Sequence, residues 1–315
     1  MENRRLVELI KEKLSLAGGE TAAQSEESAP LAPKLYLCAT PIGNLGDITL
    51  RTLETLAGVK RIYCEDTRNT LKLLNAFGIK KQLESCHEHN EKGRAERIAD
   101  EVRAGEAVAF VSDAGMPGVS DPGAELIRRF IELGLPFEVQ PGASAMTSAW
   151  IMSGLDTKSL HFIGFLPRSG AERAEKLALI ASSEDTVCVY ESPLRVGATL
   201  VELAEALAER GQSAQARPCA LVRELTKAFE ECVRGSVGEL AARYAKEPPK
   251  GECVLVIGGA ADDAPSGAGM KLDALLTSLL EEGVSVRSAA RIASEALEMP
   301  KNSVYKRAME LNNSI

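Results

Sequence analysis

Residues 107–123 read AVAFVSDAGMPGVSDPG. Ala107 to Val111 form an apolar run without a polar interruption, and the loop after them holds three glycines, two prolines and two aspartates. An unbroken apolar run suits a strand buried on both faces of a parallel sheet, where helices cover both sides. A helical pattern at 124–133 follows the loop. Strand, Gly-rich loop and helix in that order are the repeating unit of an open α/β sheet.

The rhythm extends outward from this stretch. Upstream, the periodicity predicts strands at 35–39 and 59–64 and helices at 50–57, 71–77 and 94–103, the helices stopped by Gly58, Gly78 and Gly105. Downstream it predicts a strand at 137–140 and a helix at 144–153. Such alternation implies right-handed crossovers. A second rhythm begins near Asp156, with strands at 160–165, 186–190, 219–223, 229–233 and 253–257 and helices at 171–180 and 194–209. Two strands in succession at 219–233 predict a hairpin, so this half is mixed. The fold class is therefore α/β, with two α/β domains at 34–156 and 157–260 and a cleft between them.

The ends differ. Residues 2–16 place Leu6, Leu9, Ile10 and Leu14 at helical spacing, and 17–33 is a Gly-, Ala-, Ser-, Glu- and Pro-rich linker, so 1–33 is set apart as an N-terminal helix and linker. Residues 259–270 form a second linker. Beyond them Leu272, Leu275, Leu276, Leu279 and Leu280 share a helical face, a helix spans 286–297, Met299-Pro300 breaks it, and a short helix follows at 303–311. Residues 270–315 thus form a helix-turn-helix-like module, with Arg287, Arg291, Lys301, Lys306 and Arg307 on its later helices.

Bulk properties exclude several classes. At 315 residues the chain fits about two domains. Aromatic residues make up 4%, so the core is aliphatic. A net charge of −8 does not fit a nucleic-acid coat, and an RNA substrate would need a local basic patch. The seven cysteines show no C-x-x-C spacing, which argues against a zinc ribbon and for reduced thiols in a reducing compartment. The N-terminus lacks a signal-peptide pattern, and no run approaches the roughly 20 apolar residues of a membrane span. A cytoplasmic protein is expected.

Three polar, Gly-rich loops sit between a strand and a helix, at 40–47, 112–123 and 140–145. Open α/β sheets bind ligands at such strand ends. None of the loops is a phosphate loop or a G-x-G-x-x-G turn. Their backbone donors, aspartates and hydroxyls suit a nucleoside or amino-acid-like ligand. His87 and His89 flank Glu88, but no third ligand accompanies them, and no metal is expected. His161 reads as a structural residue in an apolar strand, and no G-x-S-x-G elbow is present.

The ordered set Thr40-Pro41-Ile42-Gly43-Asn44-Leu45-Gly46-Asp47, Glu65-Asp66-Thr67-Arg68, the 112–123 loop and Pro141-Gly142-Ala143-Ser144-Ala145 continues into Gly164-Phe165-Leu166-Pro167-Arg168, Tyr190-Glu191-Ser192-Pro193, Arg223-Glu224-Leu225-Thr226-Lys227 and Gly251-Glu252. This set resembles the bacterial small-subunit ribosomal RNA (cytidine 2′-O)-methyltransferases of the tetrapyrrole methylase superfamily, over roughly residues 34–260, and the terminal helices resemble their helix-turn-helix extension. Residues 1–33 lie outside the resemblance. It implies two α/β domains holding S-adenosylmethionine in the cleft between them, a homodimer, and ribosomal RNA as substrate within the small subunit. By the same resemblance Asp113, Gly115, Met116, Ser144 and Ala145 face the cofactor from the first domain, and Tyr190, Thr226 and Gly251 from the second. Pro41, Asn44 and Arg68 would face the RNA.

Methyl transfer to a ribose hydroxyl calls for a base, worth about 10²–10⁴-fold in rate. Glu65, Asp66, Asp113, Glu191 and Glu224 are available, with Glu191 and Asp66 put forward. Arg68, Arg168 and Arg223 match phosphate geometry, and Lys306 and Arg307 add basic charge from the tail. Two alternatives stand beside this reading. One is a tetrapyrrole-precursor methylase; the other is a non-catalytic nucleic-acid-binding regulator.

Overall fold

A computed structural model describes residues 31–88, 90–260, 267–297 and 299–312. The helix predicted at 2–16, residues 17–30 of the first linker, His89 and residues 261–266 of the second linker lie outside the described residues. By their contacts the described residues form two units. One runs up to Ala149 and includes Arg223–Glu231; the other holds Trp150–Val222 and the residues from Cys232 onward.

The first unit is built from β1 (Leu35–Cys38), α1 (Leu50–Gly58), β2 (Arg61–Cys64), α2 (Thr67–Ala76), β3 (Gln82–Ser85), α3 (Glu91–Arg103), β4 (Val108–Val111), α4 (Ala124–Glu132) and β5 (Phe137–Gln140). Helix α5 (Ala145–Ser153) leads out of it into the second unit. The strands lie in the order β3-β2-β4-β1-β5, and every adjacent pair is parallel. Side chains along a strand alternate between faces, and here each face meets its own helical layer. Leu35, Leu37, Tyr63, Val108 and Phe110 pack with Ile98, Val102, Leu126 and Phe130 on one side. Tyr36, Cys38, Ile62, Cys64, Ala109 and Val111 pack with Leu56 and Leu74 on the other. Each large aliphatic or aromatic side chain buried this way contributes about 1.5–3 kcal/mol.

Strand β3 was not predicted. It is polar and sits at the sheet edge, where Glu84 is met by Arg61, Arg94 and Arg97. An edge strand held by ion pairs leaves no apolar signature.

Because all five strands are parallel, their C-terminal ends share one edge, and the helices that follow begin there. Asp66 caps α2, accepting the Arg68 N–H at 2.8 Å. Helix α4 starts at Gly123, whose φ of 129° suits glycine and which offers no capping side chain. The cap comes from another helix: Oε1 of Glu91, buried at the start of α3, accepts the Gly123 N–H at 3.0 Å and the Leu126 N–H at 2.8 Å.

The second unit contains β6 (Leu160–Phe165), α6 (Ala171–Ser182), β7 (Thr186–Glu191), α7 (Val196–Glu209), β8 (Pro218–Arg223), β9 (Glu231–Ser236), α8 (Val237–Tyr244) and β10 (Cys253–Ile257). Its sheet order is β6-β7-β10-β8-β9, with β6 parallel and β10 antiparallel to β7, so it is mixed as expected. Helix α8 was missed, although Ser236 and Glu239 form a capping box at its start. His161, read as a structural residue, is exposed on β6.

Helices α9 (Gly267–Glu281), α10 (Val286–Ala296) and α11 (Lys301–Asn312) follow. Helix α9 begins inside the stretch read as a linker at 259–270. Leu272, Leu276, Ala289, Ala290, Ala293, Val304 and Ala308 make a small common core. Its alanines let the helices approach closely. All seven cysteines are free thiols, and six are buried. Among the described residues no helix is long and apolar enough to cross a membrane.

The Glu91 cap gives a stability prediction. Glu91→Ala leaves two buried N–H groups unpaired, each normally bonded to a charged acceptor worth about 1.5–3 kcal/mol. Urea unfolding is expected to show a loss of at least about 1.5 kcal/mol at an unchanged m-value; a change below about 0.5 kcal/mol contradicts the cap.

Candidate functional site

The three loops singled out in the sequence meet at the C-terminal edge of the parallel sheet. The β1 loop and the β4 loop are pinned by a two-bond bridge, Thr40 N–H to Gly115 O at 2.9 Å and Gly115 N–H to Thr40 O at 3.0 Å. The Thr40 hydroxyl adds a bond to Ser112 O at 3.2 Å. Gly115 is buried by this arrangement, Met116 is half-buried and Asp113 is exposed at the loop tip.

The β2 loop fixes Asp113. Its Oδ1 accepts the Asp66 N–H at 3.1 Å and its Oδ2 accepts the Asn69 side-chain amide at 2.8 Å. Its own N–H points to Glu65 Oε2 at 3.5 Å. On the β5 side, half-buried Ser144 opens α5, with its Oγ 3.2 Å from the Thr147 hydroxyl and Ala145 beginning the helix.

A fourth segment joins them. Arg223–Glu231, the β8–β9 connection, belongs to the first unit. A Cβ on Gly43 would lie 2.6 Å from Lys227 Cγ, 2.8 Å from Leu225 O and 2.8 Å from Thr226 Oγ1, so only glycine admits this packing. Glu224 and Thr226 hold φ values of 51° and 63°, and Ser120 in the β4 loop holds 61°. Non-glycine residues in this region cost of order 1–3 kcal/mol, and such strain gathers at ligand sites. The buried Thr226 Oγ1 has no hydrogen-bond partner among the described residues.

The carboxylates sort by environment. Glu191 is fully buried on β7: its oxygens accept the Ser192 N–H at 2.8 Å and the Thr199 hydroxyl at 2.7 Å, and Arg195 and Arg173 stand 3.4 and 3.9 Å away. Enclosed and ion-paired, it holds the fold and has no route to a substrate hydroxyl, which corrects its place among the candidate bases. Asp66 is corrected too. The Arg68 guanidinium, 2.6 Å away, and the Arg68 N–H hold its carboxyl down at about 2, too acidic to accept a proton effectively. Glu224 Oε1 is bonded by Lys227 at 2.8 Å.

Two carboxyls behave differently. Burial, then the Asp113 charge, raises Glu65 above the usual range. Burial pushes Asp121 up to about 6, with the charges of Glu65 and Asp113 adding and the Ser112 hydroxyl opposing. Both line a cavity of 590 Å³ together with His87, Glu88, Glu91 and Ser120. Among the described residues no group of three or more His, Cys, Asp or Glu side chains is placed to hold a metal ion.

In the second unit, half-buried Tyr190 ends β7 with its ring 4.9 Å from Phe162 and 5.5 Å from Phe165. Gly251 lies just before β10, which pairs Cys253 with Glu191, so both residues sit at one edge of that sheet. Of the residues read as RNA-facing, Pro41 is half-buried, Asn44 is exposed and accepts the Gly46 N–H, and Arg168 is exposed. Arg68 is exposed but bonded to Asp66, and Arg223 is bonded to Glu231 at 2.7 Å. Lys306 is exposed on α11. Arg307 is not available in the same way: Asp273 grips it at 2.7 and 2.9 Å and Glu310 at 3.0 Å, so it ties α11 to α9. Asp121 was not among the residues singled out from the sequence. The signal present was its place in the same loop as Asp113.

Residues 34–241 match the family model of tetrapyrrole (corrin/porphyrin) methylases, and residues 267–312 match that of the RsmI C-terminal HTH domain. A protein of Synechocystis sp. named ribosomal RNA small subunit methyltransferase I is 41% identical over 278 residues, 88% of this chain and 98% of that protein. One of the same name from Halalkalibacterium halodurans is 45% identical over 226 residues, 71% of this chain and 75% of that protein. Among solved structures, the uroporphyrin-III C-methyltransferase of Thermus thermophilus complexed with S-adenyl homocysteine aligns with a TM-score of 0.52 at 19% identity, covering 71% of this chain and 97% of that one.

The Asp121 environment sets a pH dependence. Its folded value lies above the ordinary one near 3.8, so the native state holds this proton more tightly than the unfolded chain. Stability from this group is full below about pH 4 and is lost as pH rises toward about 6. Asp121→Asn is expected to raise stability at pH 7 by about 1–3 kcal/mol, with the gain vanishing near pH 4. Denaturation across that range checks it; a gain independent of pH contradicts the buried carboxyl.

Proposed function

The chain belongs to the tetrapyrrole (corrin/porphyrin) methylase family, and from that premise we propose that it transfers a methyl group from S-adenosylmethionine to the 2′-oxygen of a cytidine in small-subunit ribosomal RNA. The observation that carries the substrate is near-full-length likeness, at 41% identity, to a protein named for small-subunit ribosomal RNA methylation. The ribose position and the base identity rest on the motif resemblance. The match of residues 267–312 to an RsmI C-terminal helical domain favours RNA over a tetrapyrrole precursor, since a small substrate has no use for such a module. The reading includes a homodimer, a cytoplasmic setting and RNA within the small ribosomal subunit.

The first-unit loops fit the cofactor by their chemistry. Asp113 offers a carboxylate for hydroxyl or ammonium groups, the buried Thr226 hydroxyl is a polar atom in need of a partner, and the strained backbone around it suits a held ligand. Asp113, Gly115, Met116, Ser144, Ala145 and Thr226 would hold the cofactor in this unit; Tyr190 and Gly251 are assigned to it by the motif resemblance alone. S-adenosylmethionine supplies a methyl group already activated on a sulfonium, so alignment of the hydroxyl contributes much of the rate. The β2 loop supports that alignment by fixing Asp113 through Asp66 and Asn69. Arg68, Arg168, Lys301 and Lys306 are exposed cations that suit phosphates, and Arg307 acts by holding the tail helices together.

Two measurements test this reading. Nucleosides from treated ribosomal RNA, digested and examined by mass spectrometry, are expected to contain 2′-O-methylcytidine; a base-methylated cytidine as sole product overturns the ribose assignment. Asp113→Ala is expected to weaken S-adenosylmethionine binding about 10- to 100-fold in calorimetry, the equivalent of about 1.5–3 kcal/mol for a charged hydrogen bond. Unchanged affinity removes Asp113 from the cofactor site.

A further inference from the structure

We propose that Asp121, working with Glu65 across the 590 Å³ cavity beside the Asp113 loop, is the proton acceptor of the methyl transfer. This rests on the ribose 2′-oxygen reading above.

Elimination and placement carry the case. A ribose hydroxyl needs a base that is near the cofactor loop, open to substrate and not already neutralised. Glu191 is enclosed with two arginines, Asp66 is clamped by Arg68, and Glu224 is bonded by Lys227. Asp113 spends one oxygen on the Asp66 N–H and the other on Asn69. Around the cavity, Glu91 caps α4 and Glu125 pairs with Arg128 at 2.7 Å. Glu88 is exposed to water. Of the carboxyls that line the cavity, that leaves Glu65 and Asp121, both half-buried.

Both stand next to the cofactor loop. Glu65 reaches the Asp113 N–H, and Asp121 closes the same 112–123 loop that Asp113 opens. The cavity between them is within the usual 300–1,000 Å³ of small-molecule sites. The Glu65 charge on the far side of the cavity disfavours ionisation of Asp121, which therefore keeps its proton to higher pH. The groups facing Asp121 are Glu65 from the β2 loop, Asp113 and Ser112 from its own loop, His87 and Glu88 from the turn before α3, Glu91 from α3 and Glu125 from α4. Burial, then the charges of Glu65 and Asp113 against the opposing Ser112 hydroxyl, brings Asp121 to about 6. A base close to the working pH is the effective one.

The step balances. As the hydroxyl oxygen forms its bond to the methyl carbon, the O–H proton passes to the carboxylate and the electrons of the methyl–sulfur bond remain on sulfur. A sulfonium and a carboxylate become a thioether and a carboxylic acid. The proton leaves to water when the product departs.

The test uses the full-length protein with Asp121→Asn, Asp121→Glu and Glu65→Gln. Carboxyl carbon NMR on the protein alone follows the titration of Asp121. Calorimetry follows S-adenosylmethionine binding, single-turnover transfer to ribosomal RNA gives the pH–rate profile, and the product nucleoside is identified. Asp121→Asn is expected to lower the transfer rate 10²- to 10⁴-fold with cofactor affinity within about twofold, and Asp121→Glu to recover part of the rate. Glu65→Gln removes a facing charge, so the NMR midpoint of Asp121 and the acid limb of the rate profile should fall together. An Asp121→Asn rate within about threefold of wild type overturns the proposal. So does an acid limb that stays in place while the NMR midpoint moves, or a rate loss matched by an equal loss of cofactor affinity. A wild-type product methylated on the base would instead overturn the ribose reading. 2′-O-methylcytidine with indifferent variants would overturn this inference alone.

Discussion

The parallel sheet of the first unit is covered by helices on both faces, and this double cover constrains everything else in that unit. Alternate residues of β1, β2 and β4 must satisfy two helical layers at once, which leaves almost no room for polar side chains within the strands. The polar chemistry is pushed out to the strand ends. Since every strand runs the same way, those ends lie at one edge, and the loops after β1, β2, β4 and β5 are brought together there. The Thr40–Gly115 bridge and the Asp113 bonds to the β2 loop then tie three of these loops, after β1, β2 and β4, into one surface.

That surface holds features that oppose stability. Ser120, Glu224 and Thr226 adopt backbone conformations that side chains disfavour, Thr226 buries an unpaired hydroxyl, and Asp121 is kept in surroundings that resist its charge. Two other buried carboxyls are satisfied by partners: Glu91 accepts two N–H groups, and Glu191 is enclosed by arginines. The strained backbone at Ser120, Glu224 and Thr226, together with the unpaired Thr226 hydroxyl, marks this edge as the place where ligand contacts would complete the structure.

The sequence made the frame readable wherever burial dictated residue type. The run ending at Val111 identified β4, and successive strands at 219–233 identified the mixed sheet. Strand β3 and the early start of α9 escaped because neither is written in apolar periodicity: β3 relies on arginines gathered around Glu84, and α9 starts among glycines. Helix α8 was legible in its capping box and was overlooked. At the site, spacing located the loops but not the state of their carboxylates. Glu191 and Asp66 were put forward from the chain and Asp121 was not, and only surroundings separate them: arginines for the first two, burial and then other acids for the third. Arg307 read as a free cation for the same reason, since its partner Asp273 lies 34 residues away.

The account depends most on the claim that this methylase fold acts on RNA. Labelled S-adenosylmethionine offered in parallel with naked ribosomal RNA, isolated small ribosomal subunits and tetrapyrrole precursors tests it directly. The account predicts label in small-subunit RNA, free or assembled, and none in the tetrapyrroles. Label in a tetrapyrrole with none in either RNA substrate would contradict it.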